Sequence, residues 1–124
     1  MTLFIRPIEP TDTTIWERLL DPNFNSFGLV AEVDGEVLGM THYSFQNSTW
    51  APKHYCYLED LFVSPDARGK GLGRGLIDAV FEIARKEGSS RVYWNTDATN
   101  EVARKLYDTY TNASGKVQYR IQCS

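Results

Sequence analysis

The stretch Arg68-Gly69-Lys70-Gly71-Leu72-Gly73-Arg74-Gly75 places four glycines on alternate positions, with three cations and one leucine between them. It follows an apolar run, "CYLEDLFV", and precedes "LIDAVFEIARKEG", whose apolar spacing is helical. A strand, a glycine turn and a helix start together present unpaired main-chain N–H groups at the positive end of a helix dipole, a ready anion site. Glycine lets a phosphate approach the backbone with no Cβ in the way. Arg68, Lys70 and Arg74 add positive charge. Two adjacent carboxylates, Glu59 and Asp60, sit in the preceding apolar run, where each is costly without a partner or a chemical role. Further along, at ~100° per residue, Asn100, Ala103 and Tyr107 fall within about 60° of one another on one helix face. A small residue between two polar ones leaves that face approachable. The competing reading makes Asn100 a helix cap and Tyr107 a core aromatic with its hydroxyl tied to backbone.

The elements that must carry these residues follow from periodicity. "TLFIRPIE" reads as a first strand ended by Pro10, and Asp12 is placed to cap a short helix over residues 13–20, with Ile15, Trp16, Leu19 and Leu20 on its apolar side. Residues 21–28 read as a loop. "LVAEV" and "EVLGMTHYSF" read as strands around Asp34-Gly35, a hairpin-turn signal, and residues 46–54 as a loop. Over residues 55–63, alternation predicts Tyr55, Tyr57, Glu59, Leu61 and Val63 on one face of a central strand, and Cys56, Leu58, Asp60 and Phe62 on the other. Leu72, Leu76, Ile77, Val80, Phe81 and Ala84 then recur at helical spacing, with Gly88 as a stop. A strand over residues 90–96, a helix over 100–110 and a final strand over 116–122 complete the reading. Strand–helix alternation in the second half implies partly parallel pairing, so the sheet is mixed.

With 124 residues the chain fits one domain. A 42% hydrophobic and 13% aromatic content is enough for an ordinary core. The net charge of −3 argues against a nucleic-acid binder, whose footprint is strongly basic. No apolar run approaches the ~20 residues of a membrane span, and "MTLFI" meets Arg6-Pro7 too soon for a signal-peptide core. Cys56 and Cys123 form neither a metal-ligand pattern nor a disulfide framework, so reduced thiols and a cytoplasmic location are expected.

Spacing tests the phosphate motifs. GxxxxGK[ST] is absent, and GxGxxG fails from Gly69 at Arg74 and from Gly71 at Leu76. What fits is Arg-x-x-Gly-x-Gly, Arg68 to Gly73. Here the sequence resembles the GNAT superfamily of N-acetyltransferases. "YLEDLFVSPDARGKGLGRGLIDAVFEIARKEG" is similar to the family's fourth strand, pyrophosphate loop and following helix. "VYWNTDATNEVARKLYDTY" is similar to its fifth strand and next helix, including Asn-x-x-Ala-x-x-Leu-Tyr from Asn100 to Tyr107. "YLEDLFV" most resembles the polyamine (spermidine/spermine) acetyltransferase branch and related small members.

The resemblance implies an α/β (α+β) fold in a single N-acetyltransferase domain over residues 1–124. Its sheet is mixed and mostly antiparallel with a parallel central pair, flanked by helices, with the N-terminal second helix reduced or absent. It implies acetyl-coenzyme A as cosubstrate, no metal, and direct transfer of the acetyl group to a primary amine: a small amine, polyamine or amino acid, with a peptide lysine as second choice. Main-chain groups of Leu61, Phe62 and Val63 would hold the pantetheine arm, and one N–H there would stabilise the oxyanion. Arg68, Gly69, Lys70, Gly71, Leu72, Gly73 and Arg74 would surround the pyrophosphate, with Asn100 and Tyr107 contacting the cofactor from the next helix. Glu59 corresponds to the base that deprotonates the ammonium, directly or through water, and Tyr107 to the acid that protonates the leaving thiolate; a structural ion pair with an arginine is the alternative for Glu59. Many members continue three residues after the tyrosine with Gly-Phe, whereas here Asp108-Thr109-Tyr110-Thr111-Asn112 follows. With so little chain before the second strand, either the acceptor pocket is open or a second subunit completes it as a homodimer. Two alternatives of other classes are a catalytically inactive coenzyme A-binding sensor or scaffold, and a nucleotide-binding regulator.

Overall fold

The computed structural model describes residues 2–12 and 25–123. The chain runs β1 (Leu3–Pro7), β2 (Phe27–Val33), β3 (Glu36–Gln46), β4 (Tyr55–Val63), a short 3-10 turn (Pro65–Ala67), α1 (Leu72–Lys86), β5 (Val92–Tyr93) and α2 (Glu101–Tyr107). The strands form one sheet in the order β1-β2-β3-β4-β5. Its first three pairings are antiparallel and β4–β5 is parallel. The parallel pair therefore lies at the end of the sheet rather than at its centre.

The Asp34-Gly35 turn works as its sequence suggests: both residues have positive φ, 50° and 86°, the geometry that joins tightly twisted strands. α1 buries Leu72, Leu76, Ile77, Val80 and Ala84. They pack against Leu29, Ala31 and Val33 of β2, Tyr43 of β3, and Cys56 and Leu58 of β4. The helix lies close to the sheet because two glycines remove side chains where the elements meet. A Cβ on Gly39 would stand 3.2 Å from the Ala31 Cβ and 3.3 Å from Leu76 Cδ1, and one on Gly75 would touch Ile5. Gly39→Val is accordingly expected to overpack this contact by about 1–3 kcal/mol and lower Tm by roughly 5–10 °C, read by thermal unfolding. An unchanged Tm would mean that α1 shifts away from the strand without cost.

Several elements differ from the periodic reading. β2 begins at Phe27, inside the segment read as a loop. The helix over residues 13–20, with Ile15, Trp16, Leu19 and Leu20, lies outside the described residues. So does the capping role read for Asp12, whose carboxylate accepts from Arg6 Nη1 and Nη2 at 2.9 Å and from the Glu9 N–H at 2.6 Å. The strand over 90–96 shrinks to two residues, because only Val92 and Tyr93 find partners on β4. α2 stops at Tyr107, and residues 108–110 form a turn. Residues 116–122, read as a strand, pair with no strand among the described residues and are exposed.

Candidate functional site

The anion loop is assembled as β4 ends. The Ser64 N–H donates to Leu38 O at 2.7 Å, and Ala67 is buried in the 3-10 turn that follows. The chain then passes through two left-handed residues, Gly69 (φ 81°) and Gly71 (φ 80°). A Cβ at either would meet nothing within 4 Å, so backbone conformation, not crowding, calls for glycine there. Gly71 is the N-cap of α1 and offers no side-chain cap, and the first turn holds no acidic residue. The Gly75 N–H makes the first helical bond, to Gly71 O at 3.0 Å. Among the described residues, the N–H groups of 69–74 have no hydrogen-bond partner. Six donors around a helix start, with no competing carboxylate, suit a diphosphate.

Of the three cations, Arg68 and Lys70 stand exposed at the loop. Arg74 is turned away. Its Nη2 donates to Thr109 Oγ1 at 2.8 Å and its guanidinium lies 5.0 Å from the Tyr110 ring centre. The Tyr110 hydroxyl donates to Asp78 Oδ1 at 2.7 Å. This cluster fastens the turn after α2 onto α1. Gly73 serves the same junction, since a Cβ there would lie 3.1 Å from Leu106 Cδ2.

Next to the loop, β4 parts from β5. The two strands pair only at Cys56–Val92 and Tyr57–Tyr93. From Leu58 to Val63, including Leu61 and Phe62, the β4 edge on this side carries no strand among the described residues. A β-bulge lies at the point of separation. Tyr43 pairs with Leu58 and His42 with Asp60, leaving Glu59 as the extra residue. The bulge overturns the simple alternation expected for this strand. Leu61 and Val63 join the core with Cys56 and Leu58, whereas Glu59, Asp60 and Phe62 are exposed. β4 is thus covered on both faces only in its first half.

Tyr107 faces this opening from α2. Its ring is half-buried, 5.4 Å from Trp94, and its hydroxyl makes no hydrogen bond among the described residues. Burial raises its pKa above the usual tyrosine value, and the Asp60 carboxylate adds to that. Asn100 accepts from the Ala103 N–H at 3.2 Å and caps α2; that leaves its amide nitrogen for a ligand. Glu59 makes no ion pair among the described residues, so the structural arginine pairing is not seen. Cys56 is buried, and burial pushes its thiol up to about 11, which makes it a poor nucleophile.

Sequence reasoning missed one member of this group. His42 lies directly opposite Asp60 across the strand pair, buried, with a ring nitrogen 3.3 Å from Met40 Sδ. Burial lowers its pKa, and the Asp60 and then Glu59 carboxylates oppose that shift. Only the register of the two strands reveals the juxtaposition.

Comparison with known proteins places the chain in a family. The acetyltransferase (GNAT) family model matches residues 2–110. A D-amino-acid N-acetyltransferase of Saccharomyces cerevisiae is 36% identical over 110 residues, covering 87% of this chain and 68% of the yeast protein. A thialysine N-epsilon-acetyltransferase of Caenorhabditis elegans is 37% identical over 82 residues, 66% of this chain and 51% of its own. The chain thus spans about two thirds of the first relative and half of the second. In fold, it superposes on an aminoglycoside N-acetyltransferase in complex with CoA with a TM-score of 0.80 at 21% identity, covering 97% of this chain and 100% of the other. The chain belongs to the acetyltransferase (GNAT) family.

Proposed function

We propose that this protein is an acetyl-coenzyme A-dependent N-acetyltransferase that passes the acetyl group directly to the primary amine of a small molecule, an amino acid or a polyamine. One observation carries the reading. Among the described residues the β4 edge from Leu58 to Val63 carries no strand, and this open edge runs from Glu59 to the turn that leads into the unpartnered N–H groups of 69–74. Acetyl-coenzyme A supplies an acyl thioester. The loop N–H groups, with Arg68 and Lys70, hold the diphosphate, and main-chain groups of Leu61, Phe62 and Val63 extend the β4 edge along the pantetheine. Asn100 contributes its amide from α2. An alkyl ammonium with a pKa near ~10.4 must lose a proton before it attacks, and Glu59 accepts that proton. Tyr107 gives its proton to the departing sulfur. The names of the yeast and nematode relatives, which specify amino-acid amines, support the acceptor class.

The test is a panel of amines, including D- and L-amino acids, thialysine and spermidine, assayed with acetyl-coenzyme A for released thiol. Amine-dependent release establishes the activity. Tight coenzyme A binding with no release from any amine would favour an inactive sensor or scaffold instead. The grip itself is tested at Gly71, whose φ of 80° a β-branched residue does not adopt without strain. Gly71→Val should weaken coenzyme A binding at least about tenfold by calorimetry, since one to two kcal/mol of left-handed strain would distort the donor ring. Gly88→Ala, a comparable strain (φ 87°) at the far end of α1, should reduce stability and leave affinity unchanged.

A further inference from the structure

Thr41 is a polar residue in an apolar layer. It is fully buried and pairs with Leu29 on β2 and Leu61 on β4, so it shares with them the sheet face that α1 covers. A hydroxyl there is costly unless it is bonded. It donates to the Asp60 carbonyl oxygen at 2.6 Å, at the bulge that leaves Glu59 as the extra residue. Main-chain pairing is locally disrupted at a bulge. The Thr41 side chain therefore fastens β4 to β3 where the ladder itself does so least.

What this bond fixes follows from the phase of the strand. The Cys56 N–H donates to Arg91 O at 2.8 Å, so the polar main-chain groups of Cys56 face β5. Unbroken alternation from there would turn Asp60 and Phe62 to the same side and Leu61 toward β3. At the other end of β4, the Ser64 N–H donates to Leu38 O at 2.7 Å. That phase turns the groups of Phe62 and Asp60 toward β3, and those of Leu61 and Val63 toward the open edge. The extra residue at Glu59 reconciles the two phases. The peptide between Asp60 and Leu61 is planar and trans. With its oxygen held by Thr41, its N–H, which belongs to Leu61, points away from β3.

We propose that Thr41 is a positioning residue for acetyl transfer. Its hydroxyl holds the Asp60–Leu61 peptide so that the Leu61 N–H stays directed at the open β4 edge, where the thioester oxygen takes up negative charge. The inference rests on the acetyltransferase chemistry proposed above and adds the group that keeps its main-chain donor in place. In that chemistry the amine nitrogen attacks the thioester carbon, and the C–S bond breaks as the C–N bond forms. The amine's proton goes to Glu59, and the sulfur takes one from Tyr107. Thr41 touches none of these atoms. A donor aimed in advance stabilises the developing oxyanion without reorganising during the reaction, and a misplacement of ~1 Å costs up to about 10²-fold in rate.

Thr41→Val keeps the branched shape and removes the hydroxyl. It should lower kcat and kcat/KM together by about 10–100-fold, with coenzyme A affinity by calorimetry unchanged. Thr41→Ala should reproduce that loss, and Thr41→Ser, which keeps the hydroxyl, should restore most of the rate. Circular dichroism verifies that each variant folds. Two readouts separate positioning from stability. Val80→Ala opens a cavity in the same core and should lower Tm without lowering kcat. With acetyl-coenzyme A labelled with carbon-13 at the carbonyl, and no amine present, the NMR signal bound to the native protein should be displaced from that of the free thioester. Thr41→Val should return it toward the free value. Native kcat in Thr41→Val, an equal loss in Thr41→Ser or Val80→Ala, or an unmoved carbonyl signal would overturn the assignment alone. No thiol release from the native protein with any amine would instead remove the acetyltransferase reading, and this inference with it.

Discussion

Replacing Tyr107 by phenylalanine is expected to lower thiol release by about 10²–10³-fold, the range for one positioned proton donor, while coenzyme A affinity stays within twofold. The substitution removes only an oxygen that bonds to no described residue, so packing against Trp94 survives and the fold is not the variable. The tyrosine's environment also fixes the pH behaviour. Burial first, and the Asp60 carboxylate second, disfavour the phenolate, so the proton stays on oxygen beyond the ordinary value near ~10. Activity in the native enzyme should therefore not fall for want of an acid anywhere below pH 10. Removing the Asp60 charge by Asp60→Asn relieves the smaller of the two causes, so the alkaline limb should move to lower pH but remain above the ordinary tyrosine value. Unchanged turnover in Tyr107→Phe would take the hydroxyl out of the chemistry.

What could be read in the residues, and what could not, divides along a physical line. α1 was legible because its apolar spacing is a property of one element, and the Asp34-Gly35 turn because both of its residues tolerate positive φ. The glycines at 69 and 71 announced an unusual backbone turn, and both positions have left-handed φ. Interactions between elements were not legible. The bulge at Glu59 is set by how β3 pairs with β4, and no alternation within β4 records it. Arg74 looked like a third cation at the loop because it is near in sequence; Thr109 and Tyr110, in the turn after α2, engage it instead. Residues 116–122 carry a strand's pattern, yet a pattern identifies only the face that seeks burial. It does not say whose sheet supplies the partner.

Glu59→Gln is the second large effect, and the bulge sharpens what it must show. Two adjacent exposed carboxylates sit at the bulge, one as its extra residue and the other paired across from His42. If Glu59 is the base, the amide variant leaves the ammonium to lose its proton to solvent before binding productively. At pH 7.5 only about one molecule in a thousand of an amine with pKa near ~10.4 is free base. The variant's kcat/KM should then fall about 10²-fold at neutral pH and rise nearly tenfold for each pH unit toward the amine pKa, so that native and variant converge in alkali. Asp60→Asn should lack this convergence, because its effect runs through Tyr107 and appears at the alkaline end. The two profiles move at opposite ends of the pH axis, which separates the carboxylates where a simple loss of activity could not. A Glu59→Gln profile parallel to the native one would mean that Glu59 only attracts the cation. The convergent profile appearing in Asp60→Asn instead would transfer the proton-accepting role to the carboxylate beside His42, one residue along the same bulge.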